Sequence, residues 1–159
     1  MHPNVARVVA AAELAGLRIE IERFPEGTRT AVGAARAVGC DVAQIVKSLV
    51  FMADSAPVLV LASGANRVDM RKLGQALGAT EVRRANGDEA RAASGFAIGG
   101  VPPFGHDRPL TVLVDQDLMA HSRLWAAAGL PDAVFSLTPD QLTQASGGRV
   151  VSLAEPATA

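Results

Sequence analysis

The chain has one cysteine, Cys40, among 159 residues, which excludes an internal disulfide and a cysteine-based metal cluster. Histidine is nearly as sparse: His2, His106 and His121 are scattered without ligand spacing, so no structural metal is expected. Long hydrophobic runs are missing too. No apolar stretch reaches the roughly 18 residues that a membrane span requires. The opening segment MHPNVARVVAAAELAG carries Glu13 and has no secretory layout, so the expected location is the cytoplasm, with no membrane partner. Charge of one sign is also lacking. A net charge of -1 creates no general field for polyanions, so any nucleic-acid contact must be local. Charged residues make up only 19%, too few for an extended charged segment.

What is present is a 49% apolar chain of a length suited to one compact domain, residues 1–159, with a frayed end at EPATA. Asn4 is placed to cap a first helix with apolar positions Val5, Val8, Val9 and Ala12, and Gly16 suits its exit. LRIEIERF alternates as a half-buried strand does, and PEG turns the chain. Thr30 caps an alanine-rich helix that Gly39 ends. KSLVFMAD and PVLVLASG form a hairpin that is apolar on both faces, and therefore lies near the centre of a sheet. Asp69 caps MRKLGQAL before Gly78, TEVRRAN suggests a strand, and 88–94 suggests a short helix. LTVLVDQD and AVFSL read as strands, TPDQ as a capping box, and VVSL as a last strand.

Two features stand apart from this scaffold. The first is Lys47, set inside the apolar run QIVKSLVF. A buried ammonium must reach water, pair with a carboxylate or face a pocket that receives a polar or anionic ligand. A serine-lysine dyad with Ser48 is excluded, because neighbours on a strand point to opposite faces. The second is SGFAIGGVPPFGHDRP, which holds four of the 15 glycines and three of the nine prolines and reads as a long ordered loop. Its glycines can present backbone N–H groups to a carbonyl oxygen, an oxyanion or a phosphate. The loop has neither the Walker lysine and hydroxyl nor the dinucleotide fingerprint. Cys40 reads as a small hydrophobe, and the clusters Arg67, Arg71, Lys72 and Arg83, Arg84 as solvated faces.

Taken in order, TAVGAARAVG, QIVKSLVF, NRVDMRKLGQALGA, IGGVPPFG and TVLVDQDL resemble the YbaK-type aminoacyl-tRNA editing domain, a relative of the insertion domain of bacterial prolyl-tRNA synthetases. The resemblance runs from about Thr30 to Leu118. It implies an α+β fold: a curved, barrel-like mixed β-sheet with short helices packed around it. It also implies a free-standing trans-editing deacylase that hydrolyses the ester of mischarged aminoacyl-tRNA, typically tRNA(Pro) carrying a small wrong amino acid. Lys47 matches the family's functional lysine, associated with the terminal nucleotide. Gly99, Gly100, Val101, Pro102 and Pro103 match the G-x-x-x-P loop, whose backbone holds the aminoacyl end.

On this reading the catalytic residues are Lys47, Gly99 and Gly100, and the substrate-binding residues are Ser48, Val101, Pro102 and Pro103. Ser48 and Val101 are candidates for tuning the pocket. No metal and no cofactor is expected. The expected partners are the acceptor end of mischarged tRNA and prolyl-tRNA synthetase, with the chain itself a monomer. An aminoacyl ester is already activated, so positioning, a polarised carbonyl and a water, or the substrate's own hydroxyl or thiol, suffice. A lysine at its usual pKa is a cation, so anchoring is the first role for Lys47 and general base the second. A non-catalytic module that binds a tRNA end or a synthetase is the alternative, and hydrolysis of another small ester is a third reading.

Overall fold

The computed structural model describes residues 1–25 and 27–156 and resolves eight strands and five α-helices among them. The expected turn at PEG includes Glu26, and the expected frayed end includes 157–159; both fall partly outside the described residues.

The centre is the hairpin of β2 (Val46–Ala53) and β3 (Ala56–Ser63), paired over their full length. Asp54 and Ser55 make its two-residue turn, and both take positive φ, as a tight hairpin of this hand requires. β4 (Val82–Arg84) pairs antiparallel with the far half of β2, leaving the 46–50 half of that edge without a strand of its own sheet. On the other side β5 (Thr111–Asp115) and β8 (Arg149–Val151) run parallel to β3, so the sheet is mixed, in the order β4-β2-β3-β5-β8.

A second sheet contains β1 (Glu22–Arg23), β7 (Ala133–Leu137) and β6 (Leu124–Ala127). The two sheets meet at a parallel bridge between Ile45 and Trp125. They form no closed barrel among the described residues, since a single bridge does not join the edges into one continuous ladder; the α+β architecture with a mixed sheet and short helices around it is the expected one.

The strand expected over LRIEIERF is reduced to Glu22 and Arg23. Its alternation is still real, because Leu17, Ile19 and Ile21 pack on the core while Arg18 and Glu20 are exposed. β6 was not legible beforehand.

Helix ends follow their caps. α2 (Ala31–Val38) starts at Thr30, whose side chain accepts from Gly33 N–H, and α3 (Met70–Leu77) starts at Asp69. α4 (Gly87–Ser94) and α5 (Pro139–Ser146) open with capping boxes, Asn86 with Glu89 and Thr138 with Gln141. α1 (Pro3–Leu14) begins one residue before the expected cap: His2, rather than Asn4, accepts from the Asn4 N–H.

One face of the large sheet, with Val46, Val50, Leu59 and Leu61, packs against α1, α4 and the second sheet. The other face, with Phe51, Val58, Val60 and Leu113, packs against α3. Between α4 and β5 the loop 95–110 contains no helix or strand, as its composition requires. It is nevertheless fixed in place. Phe96, Val101 and Phe104 are buried, the Arg7 guanidinium lies 4.2 Å from the Phe96 ring centroid, and Arg7 also pairs with Asp107.

Candidate active site

The open half of the β2 edge faces a cavity of about 270 Å³. Its walls are β2, α2, β6 and the loop that carries Ile98, Gly99 and Val101. Lys47 and the glycine-rich loop, far apart in the chain, therefore reach one space. The lining holds three cations, Arg29, Lys47 and Arg84, and no carboxylate. Among the described residues none of the three has an acidic side chain within ion-pair distance. Arg84 lies 5.7 Å from the Phe51 ring centroid, while the adjacent Arg83 turns to Glu89 in a two-pronged pair. That pair, helped by the Asn86 N–H, holds the Glu89 carboxyl down to about 2.

Lys47 is half-buried, and its ammonium donates to the backbone carbonyl of Asn66. Burial pushes its pKa below the ordinary lysine value and Arg84 adds to this; Asp115 opposes, and Arg67 pushes down again. Its side chain leaves the sheet on the α3 face, since its partner across the hairpin is Ala62. Ser48 leaves on the opposite face, and its buried hydroxyl oxygen has no hydrogen-bond partner among the described residues.

Gly99 takes φ +92°, and a Cβ there would stand 3.0 Å from Arg29 Cγ; both a side chain's conformational strain and its bulk are avoided by glycine. Gly99 and Val101 line the cavity, but Gly100, Pro102 and Pro103 do not. The Gly100 N–H donates to Ala97 O at 3.0 Å, and a Cβ on Gly100 would press on the backbone of Gly129 and Leu130. The prolines are buried behind the loop, where Pro102 O accepts from His106 Nε2 at 2.8 Å. A carbonyl only accepts, so Nε2 carries the hydrogen; burial holds the imidazole below its usual pKa.

Sequence reasoning missed Arg29 and Trp125 on the cavity wall and assigned Arg84 to a solvated face. Trp125 is the sole tryptophan, in a strand too short to show a period. Lys72 is engaged elsewhere, donating to Ala154 O at 2.7 Å. Cys40 packs beside α2, with its thiol pushed up by burial and by Asp41. No group of three metal-ligating side chains gathers among the described residues, and no helix among them is long and apolar enough to cross a membrane.

The profile of the aminoacyl-tRNA editing domain matches residues 25–145, from the cavity's first loop to α5. The chain belongs to the aminoacyl-tRNA editing domain family. Its backbone superposes on a solved structure described as a candidate trans-editing enzyme for prolyl tRNA synthetase, with a TM-score of 0.92 and 43% identity, over 98% of this chain and 99% of that one. YwhH of Bacillus subtilis (strain 168), an uncharacterized protein, is 30% identical over 132 residues, covering 82% of this chain and 83% of its own length. The proline–tRNA ligase of Ligilactobacillus salivarius is 39% identical over 90 residues, which is 57% of this editing-domain chain and only 16% of the ligase.

Proposed function

We propose that this editing-domain protein is a trans-editing deacylase that hydrolyses the ester between a small wrong amino acid and tRNA, with tRNA(Pro) as the carrier. The observation that carries this reading is the convergence of Lys47 and the Gly99 loop on one small, cationic cavity. A volume of about 270 Å³ suits an aminoacyl group with part of its ribose better than a whole nucleotide or a large side chain.

In this reading the Lys47 ammonium, with Arg29 and Arg84, holds the phosphate of the terminal nucleotide at the cavity mouth, and Trp125 offers a ring face to a base. Gly99 and Val101 bring loop backbone against the aminoacyl end. Gly100, Pro102 and Pro103 act by fixing the loop from behind. Ser48 presents an unsatisfied hydroxyl to the amino acid, and Val101 limits its size. Water attacks the ester carbonyl carbon, the bond from that carbon to the ribose oxygen breaks, and the departing oxygen takes a proton, leaving free amino acid and tRNA. Lys47 serves as cation, the ordinary state of a lysine near neutral pH, and anchors rather than acting as base. No residue set here calls for a metal or a cofactor. The protein would act as a monomer in the cytoplasm, alongside prolyl-tRNA synthetase.

The test is single-turnover deacylation of a panel of mischarged tRNAs. Accelerated ester hydrolysis by wild type, lost in Lys47→Ala with the fold retained, is the expected result. Binding of tRNA without acceleration across the panel would favour the non-catalytic module, and acceleration independent of the tRNA body would point to some other small ester.

A further inference from the structure

One buried carboxyl group is unused by the deacylation reading. Asp115, the last residue of β5, is 1% exposed and has no cationic side chain in ion-pair contact among the described residues. Three donors satisfy it instead: Ser63 N–H at 3.1 Å, Asn66 Nδ2 at 2.8 Å and Asp117 N–H at 3.0 Å. Asn66 Nδ2 is shared with Asp117 Oδ2, also at 2.8 Å, so two carboxylates grip one amide. The Asn66 N–H closes the turn onto Ser63 O. The backbone carbonyl of Asn66 receives the Lys47 ammonium.

The sheet explains why these groups meet. Lys47 pairs with Ala62, and Ala62 lies one step beyond the Leu61–Val114 pair, level with Asp115. Lysine, alanine and aspartate thus form one row across three strands on one face. Strands two apart are roughly 10 Å apart, and the small alanine leaves the gap open for the 63–66 turn to enter. Direct pairing of Lys47 with Asp115 would neutralise the cation. A neutral carbonyl held by the carboxylate orients the ammonium and leaves its charge available.

We propose that Asp115 is a positioning residue for Lys47, acting through Asn66, whose carbonyl it aims at the ammonium. Asp115 also counters the groups that work against the lysine charge from the other packed elements, Arg84 of β4 and Arg67 after β3. The kinetic consequence rests on the deacylase reading; the placement of the ammonium does not.

Lys47 and Lys72 are the only lysines in the chain, so selective lysine labelling gives two side-chain signals, which Lys72→Arg assigns. NMR titration of the full-length protein is the test, in wild type, Asp115→Asn and Asn66→Ala. The second variant keeps the carbonyl but releases it from the carboxylates, and carries the test if the first fails to fold. The expected result is that the two Hε resonances of Lys47, distinct in wild type, merge in the folded variants. Its titration should move to lower pH in Asp115→Asn, while Lys72 is unchanged. With mischarged tRNA, KM should rise about tenfold with kcat nearly constant, as for a lost charge-assisted contact. An unchanged Lys47 signal in a folded Asn66→Ala protein overturns the proposal. Altered Lys47 signals with no wild-type deacylation would overturn the deacylase reading and leave the positioning role standing.

Discussion

Lys47 and Ser48 are bonded neighbours that serve opposite faces of one strand: the ammonium binds the Asn66 carbonyl on the α3 face, while the Ser48 hydroxyl is buried without a partner on the other. Both residues still line the cavity, because the β2 edge is open there and both faces of the strand reach it. The pair cannot act as a nucleophile and its base. It offers a cation and a neutral polar group from two directions.

Lys47→Met should lower kcat/KM for deacylation about 100-fold, as loss of a charge-assisted phosphate contact does, while raising stability near neutral pH. The native pKa of Lys47 is depressed below 10.5, so between the native value and 10.5 the unfolded chain binds more protons and stability rises with pH. Below that window the charged form weighs fully against folding. Urea melts at pH 7 and at alkaline pH check both signs: the variant should gain stability at pH 7 and lose the wild-type rise.

Ser48→Ala removes a buried hydroxyl that has no partner, so stability should be unchanged or up to about 1 kcal/mol higher. If the hydroxyl meets the amino acid, selectivity among mischarged tRNAs should shift while the rate on the best substrate changes less. A drop in stability would mean that the oxygen has a partner in solution.

Gly99→Ala forces a side chain into φ +92° and against Arg29. Thermal melts should show a loss of about 1–2 kcal/mol. Deacylation should fall beyond what the lost stability explains, because the loop moves away from the ester.

Arg84→Ala and Arg83→Ala separate the cavity from the surface. Arg84 lines the cavity, whereas Arg83 is spent on Glu89. The first should raise KM severalfold with a weaker salt dependence, and the second should leave KM near wild type. Equal effects would argue for a diffuse basic surface instead.

His106 bears on the loop through Pro102. Its native pKa is depressed below 6.5, so as pH falls from 6.5 to the native value the unfolded chain takes up a proton that the folded chain refuses, and stability drops. His106→Gln, which can still donate to the carbonyl but does not titrate, should flatten that slope in chemical melts from pH 7 to 5.

The local elements were legible because their signals are local. Thr30, Asp69 and Thr138 cap the expected helices because a side-chain oxygen needs only an N–H two or three residues away. The β2–β3 hairpin followed from two apolar runs and a turn. The strand at 17–24 was overread, because alternation reports burial on one side and carries no information about a ladder partner. β6 escaped because LWAA is four apolar residues in a row, which show no alternation.

By itself, the order of residues determined that a lysine would stand inside a buried strand and that a glycine- and proline-rich loop would follow, since composition and alternation act within a few bonds. Only the tertiary structure decided that the two share a cavity, that Arg29, Arg84 and Trp125 join them, and that Gly100 and the prolines stand behind the wall. Those outcomes depend on strand order and on the short reach of β4 along β2, which are set by packing between segments far apart in the chain.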